Sequence, residues 1–245
     1  RVQTQAAGQT VELQAGGALT MGANGSVFTN NGAQRLAAGT DVVLGSLDAG
    51  ASPLGGTVSV TAGGSISDGN DGASALVNVK ASNLRLQAGG NVGSALNAIE
   101  TSIGKLSAAV GGSLFVSEAN GLEIAGVQSS VNRIGTSGRI AGSTADTALL
   151  GLSAGGDIVI TNGTTHDGAL VVSEAVTVAG SGNVRLEAGR VSATAPGSLA
   201  LNAAIGVAAG SVTLLAQGAI TQSAAGDITT GGAGTVDVQS FTGAI

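Results

Sequence analysis

Asn83-Leu84-Arg85-Leu86-Gln87-Ala88-Gly89-Gly90-Asn91-Val92 is the stretch that decides the fold. Large apolar residues alternate with polar ones and then stop at a corner of small residues. Period-two alternation marks a strand with one buried face. Ala-Gly-Gly continues a strand poorly, so it is expected to form a tight corner through glycine's access to positive φ, with another strand starting at once. Variants of the phrase run from end to end: Val11 to Gly17, Val58 to Gly64, Leu150 to Gly156 and Val184 to Gly189 all fit apolar-x-apolar-x-Ala-Gly.

The residues before the glycine corners are Ala15, Ala38, Ala62, Ala88, Val110, Ala154, Ala188, Ala216 and, as a weak last member, Ser240, mostly about 22 to 28 residues apart. Two wider intervals hold less regular strands, Leu122-Glu123-Ile124 with Arg133-Ile134, and Val176-Thr177-Val178, which brings the count to about ten turns. A period of about 20 to 30 residues built from short strands and glycine corners is a β-solenoid signature. The expectation is an all-β, right-handed parallel β-helix of about ten turns, occupying 1–245 as one segment of a longer chain. Stacked about 4.8 Å apart, those turns would make a rod on the order of 50 Å long. Val, Leu and Ile would stack inward, while Glu12, Ser59, Arg85, Arg185 and Glu187 face water. Two longer internal matches read as stacked copies: 83–89 with 183–189, and 114–119 with 170–175. Segments 48–56, 68–74 and 162–168 read as lateral loops, and 93–106 as a loop leading to a strand at Ile103-Gly104-Lys105-Leu106. Pro196 falls between strands, where its missing N–H does no harm.

Composition points the same way. There are 43 Gly, three Phe, one Met and no Trp, Tyr or Cys, so the core must be narrow and filled by Ala, Val, Leu and Ile rather than by aromatics. Mean hydropathy of +0.40 and 10% charged residues argue against disorder. No apolar run is long enough for a transmembrane helix, and three Phe cannot supply the aromatic girdles of a membrane barrel, so a soluble chain is expected. Without an initiator Met, signal sequence or recognisable cap, Arg1 and Ile245 read as cut points, and the lack of Cys fits an exported bacterial protein. A net charge of −6, with nine Lys and Arg spread singly, gives no basic patch, so nucleic acid is not an expected partner.

Few motifs carry chemistry. Gly151-Leu152-Ser153-Ala154-Gly155 matches G-x-S-x-G, but a nucleophile elbow leads from strand to helix. Here a second strand follows, and Ser153 takes the outward slot of Gln14, Thr61 and Gln87. His166, the only histidine, stands beside Asp167, yet no nucleophile is placed near them and a loop histidine is the simpler reading. Asp68, Asn70 and Asp71 are the sharpest polar cluster and a calcium candidate, although the terminal Glu of an EF-hand loop is missing and a solvated turn explains them. Phosphate-binding glycine motifs do not occur, and the sequons at Asn24 and Asn162 are short enough to arise by chance.

The Ala-Gly-Gly corners, the 114–124 segment Leu-Phe-Val-Ser-Glu-Ala-Asn-Gly-Leu-Glu-Ile and the 183–189 segment Asn-Val-Arg-Leu-Glu-Ala-Gly resemble the repeat region of large bacterial exoproteins of the filamentous haemagglutinin type. The resemblance covers the whole chain and implies a β-helical shaft, exported to the outer cell surface by a two-partner outer-membrane transporter. The expected function is therefore a non-catalytic shaft of a secreted or surface fibrous adhesin or biofilm-matrix protein. Its expected partners are neighbouring segments or copies of itself, together with surface polysaccharide or a host surface. A self-assembling fibre subunit is the alternative. A polysaccharide-acting β-helix enzyme is a weaker one, because scattered charge and three Phe make a poor sugar cleft.

Overall fold

The computed structural model describes residues 1–70, 77–163, 168–189 and 196–245. It is all-β: parallel strands coil into a β-helix of about nine turns, with no helix among the described residues. At about 4.8 Å per turn the rod is about 43 Å long. Face A carries ten stacked strands, the last being Val236–Ser240, which lies on the ninth turn. Arg133-Ile134 belongs to an antiparallel hairpin outside the coil, and Val176–Val178 shares a turn with Leu170–Val172.

Three faces wind around one apolar core. Face A runs through Val2–Gln3, Ser26–Phe28, Ser46–Asp48, Val79–Lys80 and Ile99–Ser102 in turns 1 to 5. Face B carries the opening phrase and its copies: Val11–Ala15, Gln34–Ala38, Thr57–Ala62, Asn83–Ala88 and Lys105–Val110. Face C is Leu19–Thr20, Val42–Leu44 and Ile66–Asp68, continued by single bridges through Val92 to Leu114. The central ladder of face B, Leu13, Leu36, Val60, Leu86 and Ala108, continues through Leu152, Val176, Ile205 and Ile228.

The cross-section changes after turn 5. Up to that point face B is straight, and a corner separates C from A. From Leu114–Glu118 onward C and A fuse into one straight strand, repeated in Ile158–Asn162, Val184–Ala188, Val212–Ala216 and Val236–Ser240. Face B meanwhile splits into Leu122–Ile124, Leu170–Val172, Leu199–Leu201 and Ile220–Gln222 on one side. On the other side it continues as Leu152–Ala154, Val176–Val178, Ile205–Val207 and Ile228–Thr230. Two corners stay in place, and the third crosses from one side of the coil to the other.

This switch overturns the stacked-copy reading. Asn83–Ala88 lies on face B and Val184–Ala188 on face A, so the two matching segments belong to different sheets. The pair at 114–119 and 170–175 is likewise divided between faces A and B. Likewise Ala154 stacks on Val178, not on Ala188, which stacks on Ala216. The phrase encodes a strand followed by a corner. Any face of a parallel coil accepts it.

The corner glycines also act differently from expectation. Neither Gly89 nor Gly90 has positive φ. Gly89 lies where a Cβ would sit 2.2 Å from the carbonyl oxygen of Gly63 one turn earlier, and a Cβ on Gly90 would sit 2.4 Å from Ser65 Oγ. Close stacking on the turn below, rather than left-handed conformation, is what demands glycine at these two positions, whereas Gly189 at the corner after Val184–Ala188 does take positive φ. Two details of the loops differ from the sequence reading as well. Within 93–106 the strand is Ile99–Ser102, and the next begins at Lys105, leaving Ile103 and Gly104 as its corner. Pro196 does lie between strands.

Candidate functional site

The hairpin is the one large departure from the coil among the described residues. Val127–Ile134 and Ile140–Leu149 pair antiparallel with the tip at 135–139, a hairpin pattern of alternating side chains around Gly135-Thr136-Ser137-Gly138. Its root lies in turn 6, where face B divides. From there it runs back along the outside of face B and touches the strands of turns 5, 4, 3, 2 and 1. The lengths agree: eight residues extend about 27 Å, and five inter-turn steps cover about 24 Å.

Under the hairpin lies one outward column, Glu12, Arg35, Ser59, Arg85 and Ser107, one residue from each of turns 1 to 5. Asp146 reaches down between these side chains. Its Oδ1 accepts from Arg35 Nε at 2.9 Å and its Oδ2 from Ser59 Oγ at 2.7 Å. Arg35 also donates to Glu12 Oε1 at 3.0 Å, and Glu12 Oε2 lies 3.7 Å from Arg133 Nε of the hairpin. Arg85 donates to the Thr147 carbonyl at 2.8 Å and to Gln87 Oε1 at 2.7 Å. At the far end Asn132 N donates to Thr10 Oγ1 at 2.9 Å. Val127 and Val131 supply the buried apolar part of the contact.

The expectation that Ser59, Arg85 and Glu187 face water is therefore corrected: their exposures are 0%, 3% and 5%. For Ser59 and Arg85 the hairpin is the cause. Burial lowers Arg85's ordinarily very high pKa, with the Asp146 carboxylate opposing the shift and Arg35 adding to it. Arginine remains charged at neutral pH nonetheless. A lone outward arginine in an alternating strand gives no hint that a strand over 60 residues away will cover it. The signal that was available is the hairpin pattern itself, with a single carboxylate, Asp146, in an otherwise uncharged second strand.

A second constellation runs along the corner between faces B and C. Asp41 accepts from the backbone N of Ser65, Ser65 Oγ from Asn91 N, Asn91 from Ser113 N and Ser113 Oγ from Asp157 N. The relay continues from Asp157 to Asn183 N, from Asn183 to Ser211 N and from Ser211 Oγ to Thr235 N. Each side chain satisfies a corner donor of the following turn, worth about 1 kcal/mol apiece. The polar residue just after the corner glycines is its trace in the sequence, visible at Ser65, Asn91, Ser113 and Asp157.

The calcium candidate is only partly described. Asp68 Oδ1 accepts from Asn70 N at 2.9 Å and from the Asn78 amide, and Asn70 Nδ2 donates to the Gly45 carbonyl at 3.3 Å. These bonds make a turn. Asp71 lies outside the described residues, and no group of three or more metal-ligating side chains occurs within them. His166, Asp167 and Thr164 of the second sequon also lie outside. Ser153 is exposed on the strand Leu152–Ala154 in the same column as Gln87 and Thr61, and a strand follows it, not a helix.

Among the described residues Glu118 is the most buried carboxylate, at 0% exposure, on the corner between faces A and B. It accepts from Thr101 Oγ1 at 2.6 Å, Ile103 N at 3.1 Å and Asn120 N at 2.9 Å. Burial raises its pKa, and the bonds from Thr101, Asn120, Ile103 and Ala119 oppose the rise. These bonds fix the corner. No protein-family profile, curated protein or solved structure matches this chain.

Proposed function

We propose that the chain is a non-catalytic shaft segment of a secreted or cell-surface fibrous adhesin or biofilm-matrix protein. The observation that carries this reading is the unbroken parallel ladder through about nine turns. Every inner turn is bonded to the turn on either side, so an axial load is shared across all faces at once, and the rod holds whatever lies beyond it at a fixed distance. On this reading export follows the two-partner transporter route, and contacts with polysaccharide or a host surface belong to the loops or to regions beyond the rod. The test is antibody labelling of intact cells that make the whole protein, with electron microscopy of the labelled material. Thin surface fibres support the proposal. Label that appears only after the cells are permeabilised ends it.

The alternative is a fibre subunit whose copies stack end to end; within this segment the cross-section differs between the first and last turns. An identical copy stacked end to end would set turn 9, with face A straight and face B divided, on turn 1, where face B is straight. Rods that stay single in electron micrographs agree with this argument, and filaments growing from the isolated chain would restore self-assembly. A polysaccharide-acting enzyme would be recognised by sugar release from acidic polysaccharides.

A further inference from the structure

The hairpin is attached to the rod by a different kind of contact from the one that holds the coil together. Successive coil turns share backbone ladders and buried Val, Leu and Ile. Among the described residues no backbone-to-backbone hydrogen bond joins the hairpin to face B. Its hold consists of bonds that involve side chains of Thr10, Arg35, Ser59 and Arg85, the Glu12 to Arg133 approach, and two buried valines. The contact is also imperfectly satisfied: Ser107 Oγ and Ser129 Oγ are buried without a hydrogen-bond partner. Salt weakens such a contact from its rim, where Arg133 is 54% exposed beside Glu12, more than at Asp146, which is 9% exposed.

Its reach makes it more than a surface ornament. In a plain solenoid each turn touches only its neighbours, and turns can open one at a time. A hairpin bonded to turns 1, 2, 3 and 4 and resting on turn 5 ties together turns that do not touch one another. We infer that the hairpin is a latch, keyed by Asp146, that makes turns 1 to 5 open together, whereas turns 7 to 9 open singly. Asp146 is central because one carboxylate holds turns 2 and 3 while the adjacent Thr147 carbonyl holds turn 4. The latch goes beyond the shaft reading and stands or falls without it.

Hydrogen exchange followed by mass spectrometry on the whole chain tests the latch. In the unaltered protein the amides of turns 1 to 5 should exchange in a correlated step, and those of turns 7 to 9 turn by turn. Asp146→Ala should abolish the correlation and speed exchange in turns 1 to 5 about 30-fold, with turns 7 to 9 changing less than about twofold. Unchanged exchange in turns 1 to 5, or equal acceleration in turns 7 to 9, overturns the inference. Should Asp146→Ala fail to fold, a salt series on the unaltered chain decides. Acceleration confined to turns 1 to 5 supports the latch, and uniform or absent acceleration removes it.

Discussion

Turns 1 to 5 and turns 7 to 9 share one coil, one corner ladder and one kind of core, yet they treat the outside of face B in opposite ways. In the first group the outward column is Glu12, Arg35, Ser59, Arg85 and Ser107, and a hairpin covers it. In the second group face B is split, and the neighbouring outward column continues as Thr177, Gly206 and Thr229 with nothing charged. The coil needs no charges to form. Ion pairs also occur elsewhere on the coil, Lys80 with Asp48, Lys105 with Glu123 and Arg185 with Glu187. Among the described residues, only those under the hairpin join the coil to a separate element. Ion pairs of this sort contribute little net stability but penalise a slipped alignment, which would leave Asp146, Arg35 or Arg85 without a partner. The comparison thus separates two tasks: apolar stacking and glycine corners build the rod, and a few polar groups position what lies on it.

The largest expected effect tests whether the corner is common to both groups. Gly89→Ala would place a Cβ 2.2 Å from the Gly63 carbonyl oxygen, and Gly180→Ala one 2.3 Å from that of Gly155. Backbone meets backbone in both, so each should cost about 4 kcal/mol by urea denaturation. Tolerance at Gly180 alone would mean the corners are not equivalent.

Next come the core ladders. Leu84→Ala and Leu186→Ala each empty a site with 0% exposure and should each cost about 3 kcal/mol. The difference lies in how the loss spreads. Exchange protection should fall throughout turns 1 to 5 for Leu84→Ala, and only around its own turn for Leu186→Ala.

Arg85→Ala comes third, at about 1 to 2 kcal/mol, because it deprives the Thr147 carbonyl of its donor and removes a packed stem. That loss should be confined to the covered turns. If the bare turns weaken equally, the two regions are energetically one.

Glu118, at the junction of the two cross-sections, gives a smaller, pH-dependent effect. Burial raises its folded pKa, so the folded chain binds the proton more tightly than the unfolded one. Stability from this group is greatest below the ordinary carboxyl value of about 4.3 and declines as pH rises through the window above it. Melting temperatures from about pH 4 to pH 7 should show the decline, and Glu118→Gln should flatten it. Smallest of all is Gly16→Ala at the first corner, where a Cβ would meet nothing within 4 Å; a change within about 0.5 kcal/mol is expected.

Much of the rod was legible in the sequence. Alternation at Leu84 and Leu86, the corner at Gly89 and their recurrence fix a parallel coil, because period-two burial and close stacking are demands that each short segment meets locally. The outward place of Ser153 and the turn around Asp68 were legible for the same reason. The reason for the corner glycines was not, since the atom that excludes a Cβ from Gly89 belongs to Gly63, one turn away.

What only the tertiary structure decided is which segments lie against which. The likeness of 83–89 to 183–189 could not reveal that the two occupy different faces, since every face of a parallel coil offers the same environment. Nor could Arg35 announce Asp146, 111 residues away. Alternation says that a side chain points outward. Whether water or another strand awaits it there depends on an element that the local pattern does not contain.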